Sequence, residues 1–449
     1  MSIRDLPAAA RALLERLTRS PLLRDAAATT MWNAVGKAVG FLIPVAIAAW
    51  YGVSAGTDAF FFSYGALVFL TVIFSVVAQA AIVPFVSEIR TGGRERTEPF
   101  VAEVFFSATL VVVVALAALL LVLKPLLPLV TNFQGEGLRL TYVLLLETAP
   151  LVVLVTWTSV VTGVMDAYKR FALPAVSPAF RGVVAIAFIF AFRGKLGLHA
   201  VPAGYVAGEA VRVVVLGWCA LRMLPLRFAA ADLKPRLSPR LRSFLRVAAR
   251  QNLGHLALAL NPVVDRIMAS WLPAGAVSVL YYADRLYLIP MSLVLSGVLA
   301  VVRSHWSEDH YGPGGQQLGG RVALALRVGT VPTIAVAVAL ILLSQPLVRL
   351  AFARGEFPPD RVSAVAAAWR LYLVGLPPHV LGLLYVQAFL VLKDTRTTML
   401  VSLLMGGLNV ALNYALMWKL GVAGIALSSS LTSLFALLFL RWRFRAKGL

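Results

Sequence analysis

The sequence predicts an all-α polytopic membrane protein of about twelve transmembrane helices in two six-helix lobes around a central cavity. Three observations carry that expectation. First, 60% of the 449 residues are hydrophobic and 14% charged, with a mean hydropathy of +0.85, whereas soluble domains carry about 25% charged residues. Second, the apolar residues fall in blocks of roughly twenty residues or more, the length that crosses about 30 Å of hydrocarbon as a helix. A membrane β-barrel would instead show alternating segments of about ten residues. Third, the chain contains an internal repeat. Residues 51–88 and 272–308 each start at a small-residue turn, run apolar with charge near one end, and close on Ser-Glu (Ser87-Glu88 and Ser307-Glu308).

Taken in order, the expected spans are 31–51, 58–86, 100–123, 138–163, 172–192, 200–222, 246–271, 277–302, 321–343, 362–391, 397–417 and 421–441. Residues 1–30 lack the continuous apolar core of a signal peptide. Leu6, Ala10, Leu13, Leu14 and Leu17 recur at helical spacing among Arg11, Arg16 and Arg19, which reads as an amphipathic cytoplasmic segment held by anionic lipid. The six-helix lobes are 31–223 and 243–443, with a basic linker at 224–242 and a basic tail at 444–449. The repeat continues in the second part of each lobe, where the turns at Lys169-Arg170 and Lys393–Arg396 stand about 224 residues apart. Six spans per lobe give both lobes the same orientation, related by an axis along the membrane normal.

The net charge of +21 concentrates in alternate loops, as the positive-inside rule requires, which places both termini in the cytoplasm and leaves no call for a nucleic-acid partner. A single cysteine, Cys219, excludes intramolecular disulfides and cysteine metal clusters, and the five histidines show no ligand spacing. No nucleophile–base pair or phosphate loop is visible, so an enzyme is not expected.

Polar residues inside the spans are the candidate functional residues, because a charge at mid-membrane is penalised by about 2.5–3.5 kcal/mol on the insertion scale. Lys37 lies in span 1, Arg266 in span 7 and Arg285 in span 8; these three are expected to line a cavity that attracts an anion. Asp58, Asp265 and Asp284 are expected to orient those cations or to bind a coupling cation; Asp58 could alternatively cap its own helix. Arg181, Glu209, Arg212, Arg250, Asn252 and Arg370 form a further set, in which Glu209 and Arg212 could be an ion pair within one helix. Asn409 and Asn413, four apart, read as interhelical hydrogen-bonding residues. Deep cations outnumber unpaired deep carboxylates, which favours an anionic head group over a cationic drug.

At GTDAFF (56–61), MDAYKRFALPAVSPAF (165–180), VDRIMASWLPAGAVSVLYYADRL (264–286), ARGEF (353–357), LKDTRT (392–397) and LNVALNYALM (408–417) the chain resembles the MviN/MurJ family of lipid II flippases, within the multidrug/oligosaccharidyl-lipid/polysaccharide exporter superfamily. The resemblance implies alternating access by two lobes and a basic cavity that binds the diphosphate of an undecaprenyl-linked saccharide in the bacterial inner membrane. It places Lys37 where the family has arginine, Asp58 on the TDAFF aspartate, and Asp284-Arg285 on the charged pair of span 8. Where the family carries further charges in spans 1 and 2, this chain has Ile43-Pro44 and an apolar Thr71–Val77. The second lobe is therefore expected to hold most of the diphosphate. No cofactor is expected beyond a coupling cation (H+ or Na+) or the membrane potential. Expected partners are the lipid-linked substrate, membrane lipids and proteins of polysaccharide or cell-wall assembly. A cation-coupled drug antiporter and a non-transporting assembly scaffold are the alternative readings.

Overall fold

The computed structural model describes residues 21–92, 96–230, 232, 238–311 and 318–448, with the side chains of 21–29, 76–78, 80, 250–259, 293–305 and 307–311 outside that description. The expected amphipathic segment lies outside the described residues up to position 20. Among the described residues there is no strand, and helices occupy every expected span. They are α1 (Pro21–Tyr51), α2 (Ala55–Thr71), a π-helical turn (Val72–Val76), α3 (Val77–Gly92), α4 (Thr97–Val130), α5 (Gly135–Thr148) and α6 (Pro150–Ala167). These are followed by α7 (Ala172–Leu196), α8 (Ala200–Met223), α9 (Pro239–Ala269), α10 (Ala276–Tyr311) and α11 (Leu318–Leu342). The last are α12 (Ser344–Phe352), α13 (Arg361–Val374), α14 (Leu376–Val391), α15 (Thr395–Leu420) and α16 (Val422–Arg445).

Nine stretches among the described residues are long and apolar enough to cross a membrane, and one of them, Ala172–Met223, contains both α7 and α8. The helices α9 and α10 are not among the nine; they carry Asp265, Arg266, Asp284 and Arg285. Three spans expected as single helices are interrupted. Span 2 contains the π turn, span 4 breaks at Ala149 before Pro150, and span 10 breaks at Gly375 before Pro377-Pro378. Proline explains the last two, since it cannot donate to the helical ladder and disfavours helix in the residue before it.

Backbone geometry supports the repeat. Lys169 and Lys393, about 224 residues apart, are the described non-glycine residues with positive φ, and both have φ 57°. Gly197 and Gly421, at the same separation, end α7 and α15 with φ 54° and 59°. Glycine takes this conformation without the Cβ clash that other residues meet, so it permits the abrupt reversal into α8 and α16.

The chain forms two compact units. One comprises Met1–Ile43, Leu70–Leu119 and Leu146–Asn252; the other comprises Pro44–Phe69, Leu120–Leu145 and Leu253–Leu449. Of the five crossings between the units, those at Pro44 inside α1 and just before the π turn fall where the helical ladder is interrupted, and those after residues 119, 145 and 252 fall inside α4, α5 and α9. The first unit packs Ile82, Val86, Val104, Val160 and Leu216 in its core. The linker is tied to the same unit: Arg227 N donates to Glu98 Oε1 at 2.9 Å, Arg96 reaches Asp232 at 2.9 Å, and Ser238 donates to Glu103. The second unit buries Val322, Leu384, Ala388, Phe389 and Leu440.

Asp394 caps α15, its Oδ1 accepting from Thr397 N at 3.0 Å and its Oδ2 from the Thr397 hydroxyl at 2.9 Å, while Lys447 Nζ lies 3.0 Å from the same Oδ2. The Thr397 amide, assisted by Lys447, holds this carboxyl down at about 2. Because the folded value is below the ordinary one near 3.8, its contribution is complete above that value and is lost as pH falls through about 2. Unfolding of the wild type and Asp394→Asn, followed from pH 5 downward, should show a gap in midpoint that closes near pH 2. A gap independent of pH would refute the assignment.

Candidate functional site

The expected site residues separate between the two units. Lys37, Arg181, Glu209 and Arg212 belong to the first; Asp58, Asp265, Arg266, Asp284, Arg285 and Arg370 belong to the second. The side chains of Arg250 and Asn252 lie outside the described residues.

In the second unit, α9 carries Asp265 and Arg266 near its end, both 9% exposed. The carboxylate of Asp265 accepts from Asn413 Nδ2 at 2.6 Å, and Asn413 also donates to Asn409 Oδ1 at 3.2 Å. Asn409 in turn meets Ser428, whose hydroxyl donates to the Asn409 carbonyl at 3.1 Å. A buried polar chain therefore runs across α9, α15 and α16. It satisfies groups that would otherwise be costly in an apolar bundle. Asp265, Arg266, Asp284, Tyr287 and Tyr372 lie close enough to interact electrostatically, and Tyr287 stacks on Tyr372 with ring centroids 5.5 Å apart.

Arg266 needs space as well as a counter-charge. Its Nη1 donates to the Pro262 carbonyl at 3.0 Å, and its side chain lies flat against Gly65 of α2. A Cβ at position 65 would stand 2.5 Å from Arg266 Cδ and 2.6 Å from Nε, closer than atoms can approach. In the sequence, Tyr64-Gly65 occupies roughly the repeat position of Asp284-Arg285. In the fold, the missing side chain makes room for the neighbouring cation. Arg285, one turn beyond Tyr281, places its guanidinium 4.7 Å from that ring, a cation–π contact.

Asp58 does something else. The start of α2 is capped by Ser54 and Thr57, which exchange hydrogen bonds: Thr57 N to Ser54 Oγ at 3.2 Å and Ser54 N to Thr57 Oγ1 at 2.9 Å. Asp58, 4% exposed, instead serves the beginning of α10. It accepts from Gly275 N at 2.6 Å, Ser278 N at 2.7 Å and the Ser278 hydroxyl at 2.6 Å. The anion thus sits at a helix N-terminus, where unpaired amides and the helix dipole favour it. The helix is α10, not its own. Around this cap the rings of Phe61 and Tyr281 stack at 3.9 Å, and Tyr282 donates to the Gly52 carbonyl at 3.1 Å.

In the first unit Glu209 is fully buried and accepts from the Thr158 hydroxyl at 2.7 Å, from Arg212 Nη1 at 3.2 Å and from Arg181 Nη1 at 3.5 Å. Arg212 Nε also donates to Ser177 Oγ at 2.9 Å. The expected pair within α8 is therefore part of a cluster over α6, α7 and α8. Lys37 is exposed on α1. Arg370 donates from Nε to Ser344 Oγ at 2.5 Å and so joins α13 to α12. Among the described residues no three His, Cys, Asp or Glu gather as a metal site.

Sequence reasoning missed Gly65, Ser278, Tyr287, Tyr372 and Ser428 as parts of these clusters. Each is small or apolar-compatible and leaves no trace in hydropathy. The four-residue spacing of Asn409 and Asn413 was the available signal for the α15 contribution.

Comparison with known proteins agrees with this architecture. Over 93% of this chain and 87% of the other, the fold matches a structure of the lipid II flippase MurJ in an inward closed conformation, with TM-score 0.79 and 22% identity. It also matches an inward-facing multidrug resistance MATE transporter of the MOP superfamily, with TM-score 0.72 and 16% identity over 94% and 95% of the two chains. A probable lipid II flippase MurJ of Rhizobium meliloti (strain 1021) is 27% identical over 78% of this chain and 66% of its own length. The corresponding Vibrio cholerae protein is 24% identical over 92% and 81%. The family model described as lipid II flippase MurJ matches residues 47–448, and the chain belongs to that family.

Proposed function

We propose that this protein translocates an undecaprenyl-diphosphate-linked saccharide, lipid II or a related lipid-linked glycan, across the bacterial inner membrane by alternating access. The observation that carries the reading is Arg266, a guanidinium 9% exposed inside an apolar helical bundle, with a glycine facing it where any side chain would displace it. Asp265 and Asp284 lie close enough to offset that charge, and a substrate anion would draw on the same guanidinium. A diphosphate suits a planar fork of donors, and Arg285 supplies a second one. Both termini face the cytoplasm, and the acyl tail stays in lipid while the sugars cross. The basic loops support that orientation.

Asp265 is the element we assign to energy coupling. It combines one carboxylate with the amide and hydroxyl groups of Asn413, Asn409 and Ser428, a set that can hold H+ or Na+ beside the substrate's cations. The test is rescue of a host depleted of its own lipid II flippase, with uptake of a labelled lipid-linked saccharide into proteoliposomes as the direct assay. Rescue by the wild type and loss in Arg285→Ala, at equal membrane levels, are expected; full activity of Arg285→Ala would overturn the reading. The likeness to MATE transporters makes efflux of a cationic dye the informative counter-assay, and robust dye efflux with no lipid translocation would favour a drug antiporter.

Gly65 offers a separate check. Gly65→Ala adds a single methyl group far from any loop, yet it must push Arg266 aside. We expect translocation to fall by roughly tenfold or more, the value of one charge-assisted hydrogen bond, with the protein still inserted. An unchanged rate would show that the guanidinium position does not matter.

A further inference from the structure

We infer that Arg212, in the first unit, binds a carboxylate carried by the glycan of the cargo, with Glu209 and Ser177 holding the guanidinium in place. The inference rests on the reading of the protein as a translocator of lipid-linked saccharides. It adds an anion site in a different compact unit from Arg266 and Arg285.

Arg181 and Arg212 lie near the middle of α7 and α8, and both meet the one carboxylate of Glu209. Close packing of the two helices makes this possible. A Cβ on Gly208 would stand 2.6 Å from the Arg181 carbonyl oxygen, and one on Gly204 would stand 2.7 Å from Ile189 Cγ1. Two glycines one turn apart therefore let α8 lie against α7 at the level of Arg181. Glu209 follows Gly208 directly, which brings its carboxylate within reach of both guanidinium groups.

Arg212 is engaged through only part of its fork. Its Nε donates to Ser177 Oγ at 2.9 Å and its Nη1 to Glu209 Oε1 at 3.2 Å, while Nη2 has no hydrogen-bond partner among the described residues. A guanidinium holds all its N–H groups in one plane, so bonds at Nε and Nη1 fix the direction of the two on Nη2. Those two donors are preorganised for a ligand.

The open end does not face lipid. Before its final residue, Met223, the exposed large apolar residues of α8 are Val211, Val214, Trp218 and Leu221, which share one side of the helix. At about 100° per residue, Glu209 and Arg212 fall on the other side. Around Arg181 the exposed apolar residues of α7 are Phe180 and Val183, and Arg181 again falls opposite. The side chains of Arg181 and Arg212 nevertheless keep 24% and 13% of their surface open. A charge open at mid-span on the inner side of its helix faces polar space, since hydrocarbon would penalise it by about 2.5–3.5 kcal/mol.

The class of anion follows from the charges around it. Glu209 and Arg181 are the charged groups that act on Arg212. A planar carboxylate of single charge suits the N–H pair on Nη2. A doubly charged phosphate would crowd its second charge against Glu209, and a cation would be repelled by both guanidinium groups. The carboxylate can belong to an acidic sugar or to a peptide carried on the glycan, and the recognition is the same for both.

The test uses the full chain in nanodiscs. Thermal unfolding is followed while sodium glucuronate replaces sodium chloride at constant ionic strength, with glucose as the neutral control. A saturable rise in Tm with glucuronate and none with glucose is expected, both in the wild type and in Arg285→Ala. The half-saturating concentration should rise about tenfold in Arg212→Gln and in Arg212→Lys. Arg212→Lys keeps a charge beside Glu209 without the Nη2 amino group, so it decides the matter if Arg212→Gln fails to fold. An equal response to glucose, an unchanged response in Arg212→Lys, or a response lost in Arg285→Ala would overturn the site. Translocation in proteoliposomes then compares a neutral lipid-linked glycan with one carrying a uronic acid and one carrying a peptide with free carboxylates. The ratio of carboxylated to neutral rates should fall about tenfold in Arg212→Lys, for whichever of the two cargoes supplies the carboxylate. An unchanged ratio for both would overturn the role in reading cargo. No translocation of any glycan by the wild type, with the glucuronate response intact, would remove the flippase reading and leave the carboxylate site.

Discussion

Arg266→Gln should reduce lipid-linked saccharide translocation by roughly tenfold to a hundredfold with the protein still correctly inserted, and Arg266→Lys should recover only part of it. The range follows from one or two charge-assisted hydrogen bonds at about 1.5–3 kcal/mol each, with 1.4 kcal/mol per factor of ten. Glutamine keeps a hydrogen-bond donor but not the charge, and its side chain ends about two bonds short of the arginine fork. Lysine keeps the charge but not the planar fork that a diphosphate matches with two parallel hydrogen bonds. The pocket was shaped for the fork, since the guanidinium and Cδ lie against Gly65 where no Cβ would fit. The double variant Arg266→Gln/Arg285→Ala should lose no more than a further factor of a few if both arginines engage one diphosphate, because residues that act as a unit are strongly non-additive. Initial rates in proteoliposomes, normalised to protein inserted in the same orientation, measure this. Equal rates for Arg266→Gln and wild type would remove the anion site from the second unit.

The second large effect concerns stability. Asp58→Ala should destabilise the second unit by at least about 3 kcal/mol and lower its thermal midpoint by several degrees. Removing the carboxylate strands the Gly275 and Ser278 amides in a site where Asp58 is 4% exposed, while the Ser278 hydroxyl keeps Thr57 Oγ1 at 2.9 Å, and buried unsatisfied donors are expensive. Asp58→Asn should fall between the two, because its amide offers one acceptor oxygen and turns a donor toward one of the two N–H groups. The same cap joins α2 to α10 beside the Phe61–Tyr281 stack and the Tyr282–Gly52 hydrogen bond. A wild-type midpoint in Asp58→Ala would show that the cap contributes no stability.

Much of the fold is legible in the primary sequence because its cause is local. A run of apolar residues long enough to cross hydrocarbon must become a helix, whatever lies beside it. The repeat is local in the same sense: Lys169 and Lys393 share a left-handed backbone conformation, and Gly197 and Gly421 share a turn, because matching short segments solve the same steric problem. That Arg266, Asp284 and Arg285 would stand out was legible too, since hydropathy alone makes a charge inside a span conspicuous.

The partners of those charges were settled by the tertiary structure. In the sequence Asp58 reads as a carboxylate that orients the cations or binds a coupling ion, or else as a cap for α2, but Ser54 and Thr57 already satisfy that helix start, and its partner Gly275 is 217 residues away. Asn413 reaches Asp265 across 148 residues, and Gly65 acquires its meaning only when Arg266 lies on it. Nor does composition reveal the π turn, or which hydroxyls, Ser75 and Thr162, are left without a partner. The physical reason is one of range. Burial in the bilayer acts on each segment by itself and can be read from a window of residues. Hydrogen bonds and close packing act over about 3 Å between surfaces that meet only after the helices assemble, and no window contains both sides.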